Sequence, residues 1–141
     1  MFWFVPVLFA LFITLSHAWH EPEQTAATAV TVSAQQRASQ TIVYLNAIND
    51  YLYDHPQTSG SVDDSLLGVT PPAGCKNLIQ SGRLYVYQPD TRGLMYQLKR
   101  ASDDSALLGR VVSGRIQDNL GVDMGVSVPS SIANGDVVYL N

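Results

Sequence analysis

The sequence predicts an α+β fold in which an N-terminal transmembrane helix leads into a long amphipathic helix that packs on a small antiparallel sheet. Three observations support this prediction: an uncharged apolar run at the start, apolar residues at helical spacing up to residue 55, and alternation of apolar and polar residues further on. A chain of 141 residues has the size of one ordinary domain. We therefore expect a membrane segment at residues 1–20 and a single α+β domain at residues 21–141.

The N-terminal segment has two interpretations. Residues 2–15 carry no charge, and a run of about 14 apolar residues suits a cleaved signal peptide, whereas a retained anchor usually needs about 20. Residues 16–18 have the small-x-small form of a cleavage site, and cleavage after Ala18 would leave Trp19 first. Trp3 and Trp19 favour a retained anchor instead, because indole rings prefer the two interfaces of a bilayer. The missing basic residues before the run also favour retention, so we expect a single-pass anchor with cleavage as the alternative.

The charges after this segment predict its orientation. Glu21 and Glu23 follow the apolar run, and no Lys or Arg occurs before Arg37. Because positive residues hold flanking segments in the cytoplasm, we expect the rest of the chain to lie on the opposite side of the membrane.

Residues 24–55 are predicted to form one long helix. Its apolar face recurs at steps of three and four residues: Val30, Ala34, Ala38, Thr41, Leu45, Ile48 and Leu52. The helix should end before Pro56, which disfavours helical geometry at the preceding residue. We expect Leu45, Ile48 and Leu52 to pack on the sheet. Tyr44, Tyr51 and Tyr53 are either residues at the edge of the core or contacts for a partner.

The second half of the chain is predicted to be mostly strands. Residues 83–88 and 94–100 alternate around the turn PDTRG, which indicates a hairpin. A second helix is expected at residues 105–119, because residues 102–105 supply capping oxygens and negative charge. We also expect a short edge piece at residues 61–67 and strands at residues 122–128 and 136–140.

We find no motif for a nucleophile, a metal or a bound phosphate, and we expect no catalytic residues, no cofactor, no metal site and no enzymatic activity. Three histidines and one cysteine cannot supply a Cys/His zinc site. The net charge is −4, and the basic residues are scattered singly apart from Lys99-Arg100, so nucleic acid is not an expected partner. Cys75 is either a buried free thiol or part of an intermolecular disulfide.

Three segments resemble a known family: YLNAINDYLYDHP at residues 44–56, Gly60-Ser61-Val62, and VPSSIANGDVVYLN at residues 128–141. They are similar to the small PilM family of type IVb thin-pilus systems, found in enterobacterial conjugative plasmids and related clusters. The order of elements also resembles the type IV pilin plan, which predicts a pilin-like architecture. The chain departs from pilins themselves, since it lacks their charged leader ending in Gly, and Cys75 alone cannot form their C-terminal disulfide.

The resemblance implies a type IV pilus biogenesis factor that binds other pilus assembly proteins and could support conjugation. With the predicted anchor, it would be a single-pass protein of the bacterial inner membrane whose C-terminal domain faces the periplasm. Two alternatives remain open: a minor pilin-like subunit of the fibre, and a periplasmic binding protein released by cleavage. The contact surface could be the Lys99-Arg100 pair or the tyrosine-rich end of the long helix, and the oligomeric state is left undetermined.

Overall fold

The computed structural model describes residues 4–141, and the side chains of these residues except at 4, 5, 8, 9 and 14–25. It divides into two compact units, one comprising the residues before Ala34 and the other Ala34–Asn141. The elements are, in order, α1 Phe4–Asp54, β1 Ser59–Gly60, a 3-10 helix Asp64–Leu66, β2 Lys76–Gln80, β3 Arg83–Pro89, α2 Leu94–Ala101, β4 Leu108–Val112, β5 Arg115–Gln117, β6 Asp123–Ser127 and β7 Asp136–Leu140.

The prediction of an N-terminal transmembrane helix is wrong. Within the part of the chain that the structure describes, no helix is both long and apolar enough to span a bilayer. The physical reason is that the apolar run stops at Leu15, so it covers only about 21 Å at ~1.5 Å per residue, against a hydrocarbon core of about 30 Å. Within α1 it is followed by polar and charged residues, including His17 and Glu21.

Two further predictions depended on that helix and are corrected with it. These are the pilin-like architecture and the localisation as a single-pass protein of the inner membrane with a periplasmic domain. The two tryptophans expected at the ends of the anchor, Trp3 and the side chain of Trp19, lie outside what the structure describes.

The C-terminal end of α1 lies where the sequence predicts it. The helix ends at Asp54, and the backbone N–H of His55 donates to the carbonyl of Tyr51 at 2.9 Å before Pro56 follows. Helical backbone at His55 would bring its N–H and Cβ against the Pro56 ring, so the helix stops there.

The sheet contains seven antiparallel strands in the order β1-β2-β3-β7-β4-β5-β6. Its centre is β7, which follows all the other strands in sequence. Tyr85 of β3 lies opposite Leu140 on one side of β7, and Leu108 of β4 lies opposite Tyr139 on the other. The strands expected at 122–128 and 136–140 are confirmed as β6 and β7.

The predicted hairpin between residues 83–88 and 94–100 is wrong. β3 pairs instead with β2, a strand that was not predicted from the sequence. A tight turn at Ser81 and Gly82 joins the two strands, and the φ angles of these residues are +53° and +74°. Such positive φ values at both central positions are typical of two-residue hairpin turns. Residues 94–101 form α2, because Leu94, Gln97 and Leu98 have the i, i+3, i+4 spacing of a buried helical face.

The helix predicted at residues 105–119 is also wrong, since this segment forms the β4–β5 hairpin around Ser113 and Gly114. β-branched Val111 and Val112 favour strand over helix. Gly109 in β4 is required by close packing, because a Cβ there would lie 2.4 Å from Cγ2 of Ile116.

Both faces of the sheet are buried within the unit Ala34–Asn141. On one face, α1 contributes Tyr44, Leu45 and Ile48 to a cluster with sheet residues such as Ile79 and Val86. Beside it, α2 packs Leu94 and Leu98 with Ala38, Leu108 and Val137. The opposite face holds a separate cluster: Tyr85, Val111, Ile116, Ile132, Val138 and Leu140.

Candidate partner-binding surfaces

Tyr44, one of the three candidate contact tyrosines, lies in the core with 0% of its surface exposed. Its hydroxyl donates to Oδ1 of Asp64 at 2.6 Å and accepts from Nδ2 of Asn77 at 2.7 Å. Burial, reinforced by the hydrogen bond to Asp64, raises the pKa of Tyr44 above its usual value. Asn77 in turn bonds both the N–H and the carbonyl of Val62, at 2.8 and 2.9 Å. Tyr44 therefore holds the segment around Val62 and Asp64 against α1 and is not accessible to a partner.

The other two tyrosines lie near the end of α1, where a cavity of 580 Å³ opens between the helix and the segment 66–69. We call it the helix-end groove. Its lining is Val43, Asn46, Ala47, Asp50, Tyr51, Asp54, His55, Leu66, Leu67 and Val69. Tyr51 stacks on His55 with 4.5 Å between the ring centroids. Tyr53 is 87% exposed and is not part of this lining. The three tyrosines thus do not form one surface.

The residues of α1 that were predicted to pack on the sheet lie on the buried side of the helix. Leu45 and Ile48 are buried in the cluster with the sheet, and Leu52 is partly buried at its edge. This face of the helix is covered by the chain itself and offers nothing to a partner.

Half-buried Arg37 and buried Cys75 both serve the domain itself. The Arg37 Nε donates to Oε1 of Gln88 at 2.8 Å, and the buried Gln88 amide donates to Oγ1 of Thr41 at 2.8 Å, which ties α1 to β3. Cys75 is free and buried, and burial raises the pKa of its thiol to about 12. No group of three potential metal ligands is found among the side chains that the structure describes.

A larger cavity of 920 Å³ lies between the end of β3, α2 and β4. We call it the basic groove. It is lined by Asp90, Thr91, Arg92, Gly93, Met95, Tyr96, Lys99, Arg100, Asp104, Arg110 and Asn119. Four of the eight basic residues of this acidic protein line it, namely Arg92, Lys99, Arg100 and Arg110. The groove therefore concentrates positive charge in one place.

The basic side chains of this groove fall into two kinds. Arg110 forms an ion pair with Asp90, and Nζ of Lys99 donates to the carbonyl of Ser105 at 2.8 Å, so both hold the walls in place. Arg92 and Arg100 make no side-chain hydrogen bond or ion pair to any residue in the described range 4–141, and both are exposed. Tyr96 is 62% exposed between them in sequence.

Only part of this surface was predicted from the sequence, namely Lys99-Arg100. Tyr96 was missed because residues 94–100 were expected to form a strand. Arg92 and Arg110 were missed because they were expected in a turn and on a separate helix. The spacing of four between Tyr96 and Arg100 places them on one helical face once this segment is recognised as a helix.

The fold defines the class of the protein as a small α+β domain in which helices pack on a seven-stranded antiparallel sheet. The PilM family model matches residues 8–140, and the chain therefore belongs to the PilM family. This confirms the resemblance found in the sequence. Membership indicates a role in pilus biogenesis.

A solved structure supports this assignment. The chain is 36% identical to a PilM protein from Escherichia coli B7A, with 79% of this chain and 93% of that chain covered and a TM-score of 0.68. A PilM protein from Pseudomonas aeruginosa 2192 is 24% identical, with 77% and 92% covered and a TM-score of 0.47. Among curated proteins, none matches this chain.

Proposed function

We propose that this protein is a pilus biogenesis factor that acts by binding other pilus assembly proteins rather than by catalysis. The observation that carries this proposal is the family match, which extends over residues 8–140 and so includes the whole sheet domain up to the last residue of β7.

The two grooves support a binding role. Tyrosine, arginine and methionine are enriched in protein interfaces, and such residues line both surfaces. Tyr51 lies half-buried in the helix-end groove, and the basic groove holds exposed Arg92 and Tyr96 beside half-buried Met95. The elements that form each groove are also held in place by buried contacts of the domain. The helix-end groove is beside the Tyr44 hydrogen-bond network, and α2 is fixed below the basic groove by buried Leu94 and Leu98. Surfaces held in place in this way lose little conformational freedom when a partner binds.

The test is deletion of the gene in a strain that makes pili, followed by counting of surface pili by electron microscopy. We expect pili to disappear in the deletion strain and to return with the full-length gene on a plasmid. Normal piliation without the gene would overturn the role in biogenesis.

A second measurement addresses the mode of action. A photocrosslinking amino acid placed at Tyr53, which is exposed, should give adducts with proteins encoded beside the gene in the same pilus cluster. Mating frequency measured in the same strains tests the link to conjugation. Recovery of the protein in stoichiometric amounts from sheared pili would replace the assembly-factor proposal with that of a minor structural subunit.

A further inference from the structure

We propose that the basic groove binds an acidic segment of a partner protein, through Arg92 and Arg100 on either side of Tyr96. This inference rests on the proposed function and deepens it, because it specifies the chemistry of the partner and the residues that recognise it.

The charge distribution is the first argument. The protein carries a net charge of −4, yet half of its basic residues line this one cavity. Two of them, Lys99 and Arg110, are engaged by groups of the protein itself. Arg92 and Arg100 are exposed and have no side-chain partner anywhere in the described range 4–141. Guanidinium groups bind carboxylates through two parallel hydrogen bonds, so these two side chains are suited to receive acidic residues.

The geometry of α2 is the second argument. Tyr96 and Arg100 are one turn apart on the helix and therefore share a face. Arg92 precedes the helix by two residues, and Gly93 between them adopts a left-handed φ of +80°. All three side chains line the same cavity. An exposed aromatic ring in the same cavity as two cations offers apolar contact together with charge, and tyrosine and arginine are enriched in interface hot spots.

The acidic residues of the lining indicate which kind of anion fits. Asp90 and Asp104 are part of the same groove as the two arginines. A continuous polyanion such as nucleic acid, or the surface of an anionic membrane, would bring negative charge against them as well. A polypeptide can place separate carboxylates at the arginines and keep uncharged residues near the aspartates. We therefore commit to a protein partner.

The first experiment uses the full chain in cells that make pili. A photocrosslinking amino acid replaces Tyr96, and the adducts are identified by mass spectrometry. We expect the crosslinked peptide to come from an Asp- or Glu-rich segment of another protein. Adducts with nucleic acid, with lipid or with a segment that lacks acidic residues would overturn the proposal, and so would the absence of any adduct above that of cells without illumination.

Charge reversal provides the matched control. The double variant Arg92→Glu/Arg100→Glu should abolish the adduct, whereas Lys76→Glu/Arg83→Glu should retain it. Both pairs change the net charge equally, and Lys76 and Arg83 are exposed residues of the β2–β3 hairpin outside the groove. Thermal unfolding monitored by circular dichroism should show that both variants fold. If both retain the adduct, the groove does not recognise acidic groups.

The identified segment then serves as the probe in solution, as a synthetic fluorescent peptide. Its affinity should fall on the order of 10-fold or more in Arg92→Glu/Arg100→Glu, and should decrease for the unaltered protein as salt is raised. Unchanged affinity would contradict the proposal. Failure of this inference is distinguishable from failure of the proposed function. If the double variant fully restores pili and keeps the adduct, only the inference about the basic groove is lost. If the deletion strain makes normal pili, the role in pilus biogenesis is lost.

Discussion

Replacement of Tyr44 by Phe tests the assignment of this residue to the core rather than to a partner surface. The substitution removes only the hydroxyl, which donates to Asp64 and accepts from Asn77. The ring stays in place, so no cavity is expected. Tyr53→Phe is the matched control, because it removes the same atom from a side chain that is 87% exposed.

The structure sets the size of the effect. A hydrogen bond to a charged group contributes about 1.5–3 kcal/mol, and one between neutral groups about 0.5–1.5 kcal/mol. Asp64 is exposed and recovers hydration when the hydroxyl is lost, which reduces the stability lost with the Tyr44–Asp64 hydrogen bond. Asn77 is only 8% exposed and keeps its bond to the Val62 carbonyl, but it loses a second acceptor. We expect Tyr44→Phe to lower the free energy of unfolding by about 2 kcal/mol.

Urea denaturation of the full chain measures this difference. With a slope of about 1–2 kcal/mol per molar for a domain of this size, the midpoint should fall by about 1–2 M in Tyr44→Phe and stay unchanged in Tyr53→Phe. The difference should also depend on pH. The unfolded tyrosine ionises near 10.0, and its folded pKa is raised, so the stabilising contribution is complete below pH 10.0 and is lost as the pH rises above it. Equal midpoints for the two variants would refute the structural role of the Tyr44 hydroxyl.

Three further predictions concern the interior. Ile48→Asp should lower stability by about 4 kcal/mol or more, because it buries an unpaired carboxylate, whereas Asn46→Asp on the exposed face should be nearly neutral in thermal unfolding. Gly109→Ala should cost about 2 kcal/mol or more, because a Cβ there meets Ile116 and the Gln117 backbone, and should exceed Gly114→Ala, which costs about 1 kcal/mol through its φ of +74° alone; similar melting temperatures would contradict this. Cys75 should react with a maleimide roughly 1000-fold more slowly in the folded than in the unfolded protein, because its pKa rises from 9.0 to about 12; equal rates would place the thiol at the surface.

The elements that could be predicted have strong local signals. Pro56 ends α1 through a local clash between two neighbouring residues, and the alternation in β6 is that of a strand with one buried side. β7 follows Asn134-Gly135, a dipeptide typical of tight turns. In α2 the local signal is ambiguous. Leu94 and Leu98 are separated by four residues, which fits one face of a helix and one face of a strand equally well. Packing against the sheet decides between them.

Residues 102–105 show how a correct chemical observation led to a wrong element. Their polar side chains were expected to cap a following helix, but they form the turn that ends α2. Asp103 and Asp104 adopt φ angles of +49° and +57°, which aspartate tolerates better than most residues. The same chemistry therefore serves two structures that sequence alone does not separate.

The candidate surfaces were predictable only in part. Lys99 and Arg100 were visible as an adjacent pair, but Arg110 reaches the same groove from another strand. Tyr44 was placed in the core by Asp64 and Asn77, which lie 20 and 33 positions away in the chain. Long-range contacts of this kind depend on the fold, so the helical spacing of Tyr44 alone could not reveal them.

The position of β7 has a consequence for how the protein is made. Residues 136–140 form the strand between β3 and β4, so until they leave the ribosome the sheet exists only as two separate groups of strands. Neither group can bury its apolar residues fully, because the two hydrophobic faces meet on β7 through Val137 and Val138. The domain is thus expected to stay unfolded until β7 has been synthesised and has left the ribosome. A nascent chain in this state remains available to chaperones or to a translocase, and ribosome-nascent-chain complexes stopped just before Asp136 should be digested readily by protease.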